Sequence, residues 1–387
     1  MMDQSRLQIF VSCAPGIEPI LAEECRRLNL IGGKTEASAP DRSGEDTGGI
    51  MLNGKLADVY RCNLHLRTAS RVIVRLGTFH AVSFAELRKK ASYLEWVNFI
   101  HPGQSVNIRT TCHKSRLYHS DAVSERVLGA INDHFARLNN AAKPCQSGKV
   151  GQLVQVRLVN DLCTISIDSS GELLHKRGYR LESAKAPLRE TLAAAMLLAA
   201  GWDGNSALID PFCGSGTIPI EAALLANNIP PGIAREFAFK RWPGFDAACW
   251  QDLLSSARQE IRSSNIHIYG YDRDAGAIQI ATANAARAGQ KDMIRFSHQA
   301  ISNLVPTDEA GYIITNPPYG IRIKTGKDLR DLYARFGEIL STRFCGWQAG
   351  ILSNDPKLTG NLGLHQLKSE WRFINGGIPV SFQIYTL

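Results

Sequence analysis

A short run near the end of the chain, residues 313–320 (IITNPPYG), combines hydrogen-bond acceptors with an aromatic ring. Its two prolines cannot donate a ladder hydrogen bond, so they end the apolar strand before them and stiffen the loop that follows. The Asn316 side-chain oxygen and the Pro317 carbonyl can accept both N–H groups of an exocyclic amino group, and the Tyr319 ring can stack on the base that carries it. The residues that we assign to catalysis are Asn316, Pro317, Pro318 and Tyr319. The competing interpretation is a strand-ending turn with a packing tyrosine.

A glycine-containing loop, residues 210–217 (DPFCGSGT), lies between a predicted strand and a predicted helix. Gly214 and Gly216 allow the backbone to approach a ligand closely. A dinucleotide-binding fingerprint needs a third glycine where Pro219 stands, and the lysine of a phosphate-binding Walker loop is missing. An aminocarboxylate suits this loop better, because its carboxylate can meet the amides of the helix N-terminus and Asp210 can take its ammonium group.

An acidic residue, Asp272, ends the next predicted strand. In this position a carboxylate accepts hydrogen bonds from the two hydroxyls of a ribose. The neighbouring Asp274 is better placed to cap the helix that follows. A ribose site beside an aminocarboxylate site matches S-adenosylmethionine, and the three motifs on successive strands therefore predict methyl transfer to the amino group of a base.

The elements that must position these motifs alternate along the second half of the chain. Strands are predicted at 207–210, 266–271 and 312–315, and helices at 188–200, 274–289 and 328–342. Such alternation is typical of a parallel, doubly wound α/β sheet, which binds ligands at the carboxyl ends of its strands. The insert at 230–262 makes the first crossover unusually long. Its aromatic and basic residues can cover the site or contact substrate, but simple packing is the interpretation that we favour.

The first half of the chain has an α+β order without a visible repeat. Strands are predicted within 7–14, 49–54, 71–79, 104–112, 153–159 and 162–170, and helices at 17–30, 56–65, 84–100 and 120–138. Ser120 or Asp121 can cap the last of these helices. The polar, Gly/Ser-rich segment 34–49 is typical of a mobile loop.

Length and composition restrict the class of protein. A chain of 387 residues calls for two or three domains. Its nine cysteines contain no CxxC pair and are odd in number, which favours a reducing cytoplasm over a disulfide framework and gives no sign of a metal site. No secretory signal is visible, and the longest apolar run, residues 191–202, is too short to span a bilayer. We therefore expect a cytoplasmic protein without a membrane partner.

Positive charge is concentrated in one segment. Residues 60–120 contain 10 Lys and Arg against 2 Glu, with 5 histidines in addition. Such a concentration predicts a polyanionic partner, although a basic solvated face without a partner is the alternative. Along a predicted strand and the turn after it, beside Tyr118 and two histidines, we expect the contact residues Arg109, Lys114 and Arg116.

With these motifs in hand, the chain resembles the THUMP-domain RNA methyltransferases, and within them the bacterial enzymes that form N(2)-methylguanosine in large-subunit ribosomal RNA. In the first half the resemblance rests on RTASRVIVRLGTF and SRLYHSDAVSERVLGAI. In the second half it rests on KRGYR, APLRETLAAAML, DPFCGSGTIPIEAA, RWPGF, YGYDRD and NPPYG. It covers most of the chain and implies a ferredoxin-like part at 1–60, a THUMP RNA-binding domain at 61–170 and a Rossmann-like methyltransferase domain at 171–387.

The resemblance also implies roles for individual residues. S-adenosylmethionine would be held by Asp210, Phe212, Gly214, Gly216, Thr217, Asp272, Gln299 and Asn316. The KRGYR motif adds Lys176, Arg177 and Arg180 to the RNA-binding residues. One position departs from the family pattern, since Ala300 stands where an aspartate usually reads the adenine of the cofactor, and Gln299 or Ser302 would have to replace it.

Three functions remain open from the sequence. The leading one is methylation of the 2-amino group of a guanosine in structured RNA, with ribosomal RNA preferred to transfer RNA. The second is methylation of the 6-amino group of adenine in DNA or RNA, against which the basic first half argues. The third is an RNA-binding assembly factor without turnover, which Ala300 favours and the complete NPPY and DPFCGSGT motifs oppose.

Overall fold

The computed structural model describes residues 6–31, 48–138, 151–181, 188–319 and 326–387. The predicted mobile loop at 34–49 lies almost entirely outside these ranges. In the first half, six strands form one sheet in the order β2-β1-β3-β6-β5-β4. They are β1 (Leu7–Ser12), β2 (Gly49–Gly54), β3 (Arg71–His80), β4 (Val106–His113), β5 (Gln152–Val159) and β6 (Leu162–Asp168). All neighbouring strands are antiparallel except β4 and β5, which run parallel.

Four helices accompany this sheet: α1 (Glu18–Arg27), α2 (Leu56–His65), α3 (Phe84–Ala91) and α4 (Ser120–Arg137). Alternate residues of β4 and β5 are buried and exposed, as expected for a sheet with a helix-covered face and an open face. On β4, Val106 and Ile108 are buried while Arg109 is exposed. The predicted α+β order of the first half is therefore confirmed.

Two predicted features of these helices are wrong. Helix α3 ends at Ala91 instead of continuing to residue 100, because the chain turns so that Trp96 becomes fully buried and donates its indole N–H to the Ala91 carbonyl. The N-cap of α4 is His119, whose side chain makes no capping bond. Ser120 and Asp121 already lie inside the first helical turn, one and two positions too late to cap it.

The second half contains a seven-stranded sheet in the order β12-β13-β11-β10-β7-β8-β9. Its strands are β7 (Ala207–Asp210), β8 (Ile268–Asp272), β9 (Ile294–His298), β10 (Gly311–Thr315), β11 (Gln348–Ser353), β12 (Leu367–Asn375) and β13 (Ile378–Thr386). The five strands from β7 to β11 are parallel, and β13 is antiparallel to both β11 and β12. The strand order reverses between β7 and β10, so a crevice must open at their carboxyl ends. This is the predicted Rossmann-like, doubly wound α/β fold.

The described residues of this half form six α-helices: α5 (Glu190–Ala199), α6 (Thr217–Ala226), α7 (Ala247–Gln259), α8 (Ala275–Arg287), α9 (Gly326–Arg343) and α10 (Pro356–Gly360). Almost every residue of α5 and α6 is buried, which explains why the sequences of these two helices are apolar on all sides. Among the described helices, none has the length and apolar character needed to cross a bilayer.

The insert between α6 and β8 joins the two halves. Its Phe239 ring lies 4.5 Å from the Tyr60 ring of α2, and its Trp242 ring meets Phe99 edge-on at 5.0 Å. The Trp242 indole donates a 3.0 Å hydrogen bond to the Gln152 side chain at the start of β5. The insert aromatics are therefore buried between the halves, and packing is their role.

Candidate active site

The three sequence motifs meet in one cleft of about 960 Å³ at the carboxyl ends of β7, β8 and β10. This is the crevice at which the strand order reverses. Ten of the predicted catalytic and cofactor-binding residues line it: Asp210, Phe212, Gly214, Thr217, Asp272, Gln299, Asn316, Pro317, Pro318 and Tyr319. Gly216 does not line the cleft, but it shapes the loop that does.

Asp210 ends β7 and is only 1% exposed. Its Oδ1 accepts hydrogen bonds from the Thr315 hydroxyl (2.6 Å) and the Phe212 amide (3.2 Å). Burial raises the pKa of this carboxyl to about 7, and the negative charge of Asp272 adds to the rise, whereas the two hydrogen bonds oppose it. A cationic ligand group in the cleft would therefore stabilise the ionised form of Asp210.

The two glycines of the loop are required for different reasons. Gly214 has a φ of +51° and a Cβ placed there would meet nothing within 4 Å, so the loop leaves open space on its ligand side. Gly216 has a φ of +82°, and a Cβ there would lie 3.0 Å from the Ala281 Cβ and the Phe296 ring. Gly216 is also the N-cap residue of α6, so the positive end of that helix faces the cleft.

The Asp272 carboxylate holds the glycine loop in place. Its Oδ2 accepts a 3.0 Å hydrogen bond from the Gly214 amide, and its Oδ1 accepts a 2.9 Å bond from the Asp274 amide. Each carboxylate oxygen has a second lone pair for a ligand hydroxyl. Asp274 caps α8 through the amides of Gly276 and Ala277, as its position in the sequence predicts.

The NPPY loop begins directly after Thr315, the last residue of β10. The Asn316 Oδ1 atom is buried and has no hydrogen-bond partner within the described part of the chain. An unpaired buried acceptor is costly, so its presence in the cleft indicates a donor group supplied by a ligand. Tyr319 lines the same cleft and is 8% exposed, whereas Gly320 lies outside the described residues.

The far end of the cleft is lined by Gln299 and Ala300. The Gln299 amide binds the Asp272 carbonyl at 2.9 Å, and its side-chain nitrogen donates to the Asn303 carbonyl at 3.1 Å. Ser302 is not part of the cleft lining. Of the two residues considered as replacements for the usual aspartate, Gln299 is therefore the one in position to contact an adenine.

Three of the basic residues of the first half lie on or directly after its edge strand β4. Arg109, Lys114 and Arg116 are all exposed, and Lys176 is exposed beside Glu172. A cavity of about 330 Å³ at the ends of β4 and β5 is lined by Lys114, His113 and Arg157 among others. The sequence alone does not indicate Arg157 as part of this surface, because its position beside Thr111 results from the parallel pairing of β4 with β5.

Two residues of the KRGYR motif are not available for RNA contact, so their assignment is corrected. Arg177 is 6% exposed, donates to the carbonyls of Leu174 and Arg67, and lies 3.5 Å from Glu221. The Arg180 side chain is 12% exposed and donates to Thr217 and Leu188. Both guanidinium groups stabilise the interior. Within the described ranges, no group of three or more His, Cys, Asp or Glu side chains is placed to hold a metal ion.

Comparison with known proteins places the chain in a family. Residues 177–377 match the family model described as RMKL-like, methyltransferase domain, and residues 8–73 match the RlmL ferredoxin-like domain. The chain belongs to the RMKL-like methyltransferase family. The matches confirm the resemblance, the methyltransferase class and the ferredoxin-like element of the fold, whereas the THUMP assignment and the three domain boundaries stay predictions.

Relatives of this methyltransferase cover nearly the whole chain. It is 34% identical over 385 residues to the ribosomal RNA large subunit methyltransferase K/L of Syntrophotalea carbinolica, covering 96% of this chain but 52% of the relative. The chain thus spans about half the length of such relatives. A Synechocystis sp. protein, slr0064, named provisionally as an RNA methyltransferase, is 33% identical, with 98% of this chain and 96% of the relative covered.

Solved structures share the complete arrangement. SMU.472, provisionally described as a methyltransferase and complexed with SAH, superposes with a TM-score of 0.89 at 27% identity, covering 99% of this chain and 98% of the other. A Listeria monocytogenes protein described as a predicted N6-adenine-specific DNA methylase gives a TM-score of 0.87 at 30% identity, with 99% and 97% covered. TrmN from Thermus thermophilus shares the fold at 19% identity, with a TM-score of 0.71 over 98% of this chain and 100% of the other.

Proposed function

We propose that this methyltransferase uses S-adenosylmethionine to methylate the 2-amino group of a guanosine in RNA, in the large ribosomal subunit. The observation that carries the proposal is the buried Asn316 Oδ1, to which none of the described residues donates a hydrogen bond, in the same cleft as the glycine loop and Asp272. Amino groups of bases are donors, and this acceptor is where such a donor is needed.

The residues of the cleft fit S-adenosylmethionine. The amides at the start of α6 face an incoming carboxylate, the buried Asp210 carboxylate suits an ammonium group, and Asp272 retains lone pairs for ribose hydroxyls. The open space beside Gly214 accommodates a ligand against the backbone. SAH in the related SMU.472 structure supports the same cofactor. When bound, this cofactor supplies a methyl group on a positively charged sulfur.

The NPPY loop prepares the amino nitrogen for attack. In a free base the amino lone pair is delocalised into the ring, so the nitrogen is a weak nucleophile. The Asn316 oxygen and the Pro317 carbonyl hold the two N–H groups, which favours a tetrahedral nitrogen and stabilises the positive charge that develops on it. Tyr319 and the fixed proline backbone align the base, and alignment supplies much of the rate. Solvent or a neighbouring acceptor takes the proton after transfer.

The RNA substrate is supported by the first half of the chain. Arg109, Lys114 and Arg116 lie exposed at one edge of its sheet, with Arg157 beside them across β4 and β5. Phosphates of a structured RNA match such an edge. We assign RNA binding to a THUMP domain at 61–170 that follows a ferredoxin-like part at 1–60, with catalysis at 171–387, and we place the reaction in the cytoplasm.

Adenine is the second candidate target. The 30% identity and TM-score of 0.87 to the Listeria monocytogenes protein favour it, and two acceptors hold a 6-amino group as well as a 2-amino group. The two bases differ in the product, so nucleoside analysis separates them.

Replacing Asn316 tests the catalytic assignment. Asn316→Ala should lower kcat on RNA by about 100-fold or more, since one preorganised polar contact in the transition state is lost. Cofactor affinity should change little. The matched control is Asn205→Ala. Asn205 is exposed and lies before the amino end of β7, whereas the cleft lies at the carboxyl end, so this variant should retain parental kcat. A kcat within a few-fold of parental in Asn316→Ala would show that the loop is only a turn.

A further inference from the structure

A second cavity of about 650 Å³ lies beside the catalytic cleft, at the carboxyl end of β11. The β12–β13 hairpin forms its floor and a turn of the first half forms one wall. The polar side chains that line it include Asn354, Asp355, Glu370, Arg372, Ser381 and Gln383. Neither the family match nor the reaction assigns a role to this cavity.

Asn354 repeats the feature that marks the catalytic loop. Its Oδ1 atom is buried and has no hydrogen-bond partner among the residues that the structure describes. It follows β11 as Asn316 follows β10, and these strands are neighbours in which Thr315 pairs with Ile351. If both chains continued along the strand direction, the two asparagines would lie roughly 8 Å apart. Two asparagines of this kind thus follow the carboxyl ends of neighbouring strands.

The two sites are close in the fold, because β10 and β11 are hydrogen-bonded neighbours and the cavity begins where β11 ends. A ligand strand that places one nucleotide in the cleft can therefore reach the cavity with an adjacent one.

The charges of the cavity select the kind of group that enters. Glu370 is already occupied, since it accepts hydrogen bonds from Ser381, Gln383 and Arg372. Asp355 caps α10 through the Lys357 amide. Among the described residues that line the cavity, Asn354 Oδ1 therefore remains as an open acceptor, while the Arg372 side chain is 79% exposed although it pairs with Glu370. An acceptor inside and a cation at the surface match an amino group of a base and the phosphate attached to it.

The wall from the first half is held in close contact with the hairpin. The Pro15 carbonyl accepts a 3.1 Å hydrogen bond from the Ile374 amide of β12. Gly16 has a φ of +97°, and a Cβ there would lie 2.1 Å from the Arg372 carbonyl oxygen. The RNA-binding half thus contributes directly to the cavity next to the catalytic loop.

We propose that this cavity is a second nucleotide subsite, which binds the base of a nucleotide that flanks the methylated one. Asn354 Oδ1 accepts from the exocyclic amino group of that base, and Arg372 binds its phosphate. Uracil is disfavoured, because it has no exocyclic amino group and its single N3–H donor lies between two carbonyl oxygens, which Asn354 Oδ1 and Asp355 repel. The proposal rests on the proposed function, since it assumes that the catalytic loop receives a nucleotide of an RNA strand.

The experiment measures selection at the flanking positions. RNA transcripts that contain the methylated site, with the nucleotides on both sides randomised, are incubated with the parent and with variants, and the methylated molecules are sequenced. The parent should disfavour uracil at one flanking position by about tenfold, because a site built for an exocyclic amino group rejects a base that lacks one. Asn354→Ala should reduce this selection to less than about threefold, with S-adenosylmethionine affinity and kcat at saturating RNA unchanged.

Two further variants complete the test. Asn361→Ala removes an exposed asparagine of the α10 C-terminus, outside the cavity, and should retain parental selection. Arg372→Gln changes an exposed side chain, so the variant should stay folded. It should raise KM for RNA several-fold without changing kcat.

The results separate this proposal from the function on which it rests. A parent that methylates the RNA while Asn354→Ala keeps the parental selection overturns the subsite alone. A fall in kcat without a change in selection assigns Asn354 to the target base and also overturns it. A parent that methylates none of the transcripts overturns the proposed function and the subsite with it.

Discussion

Asp272 offers a measurable test of the cofactor site, because its carboxylate has two separable tasks. It fixes the loop by accepting from the Gly214 and Asp274 amides at 3.0 and 2.9 Å, and it presents its remaining lone pairs to a ribose. Hydrogen bonds to a charged group contribute about 1.5–3 kcal/mol. Asp272→Ala should therefore weaken cofactor binding by about 10- to 150-fold, at 1.4 kcal/mol for each factor of ten.

Asp274→Ala is the matched control, since this carboxylate lies two residues away and caps α8 through Gly276 and Ala277. Loss of a helix cap should lower the free energy of unfolding by about 0.5–2 kcal/mol and leave cofactor affinity within about threefold. Isothermal titration calorimetry with S-adenosylmethionine measures the affinity, and thermal unfolding measures the stability. The reasoning is refuted if Asp272→Ala binds as tightly as the parent, or if both variants lose affinity equally.

Two other predictions concern the RNA surface and Asp210. Replacing Arg109, Lys114 and Arg116 together by Ala should flatten the dependence of log RNA affinity on log salt by about 2 to 3 units, and an unchanged slope would place the RNA elsewhere. Because the pKa of Asp210 is raised to about 7, binding of a cationic cofactor group should weaken as the pH falls below about 7, where the carboxyl takes up a proton. Thr315→Val removes a hydrogen bond that lowers this pKa, so the pH at which half of the binding effect is lost should rise, as calorimetry at several pH values can show. If that pH does not change, Asp210 is excluded as the titrating group.

Much of the fold follows from local sequence patterns. The apolar strands before DPFCGSGT, YDRD and NPPY, with helices between them, predict a doubly wound sheet, and the structure confirms it. The capping role of Asp274 follows from its position alone. The cleft could also be predicted, because parallel strands place their carboxyl ends at one edge whatever the details of packing.

The errors have a common physical cause, since they concern residues whose environment is set by distant parts of the chain. Arg177 reads as a surface cation, yet it is buried against Glu221 by the docking of the two halves. Helix α3 stops at Ala91 because Trp96 must enter the core, which periodicity alone does not reveal. Thr315 gains its role through Asp210, which lies 105 residues away in the chain. Asn354 gains its role because β11, which it follows, pairs with β10 residues that lie 36 positions earlier.

The most direct test of the central claim is the identity of the methylated nucleoside. Unmodified large-subunit ribosomal RNA, transcribed in vitro, is incubated with the protein and S-adenosylmethionine, digested to nucleosides and analysed by mass spectrometry. We predict N(2)-methylguanosine, formed by the parent and by Asn205→Ala but reduced about 100-fold in Asn316→Ala. N(6)-methyladenosine in its place would contradict the guanine assignment. The absence of any methylated nucleoside would contradict the proposal that this protein methylates RNA.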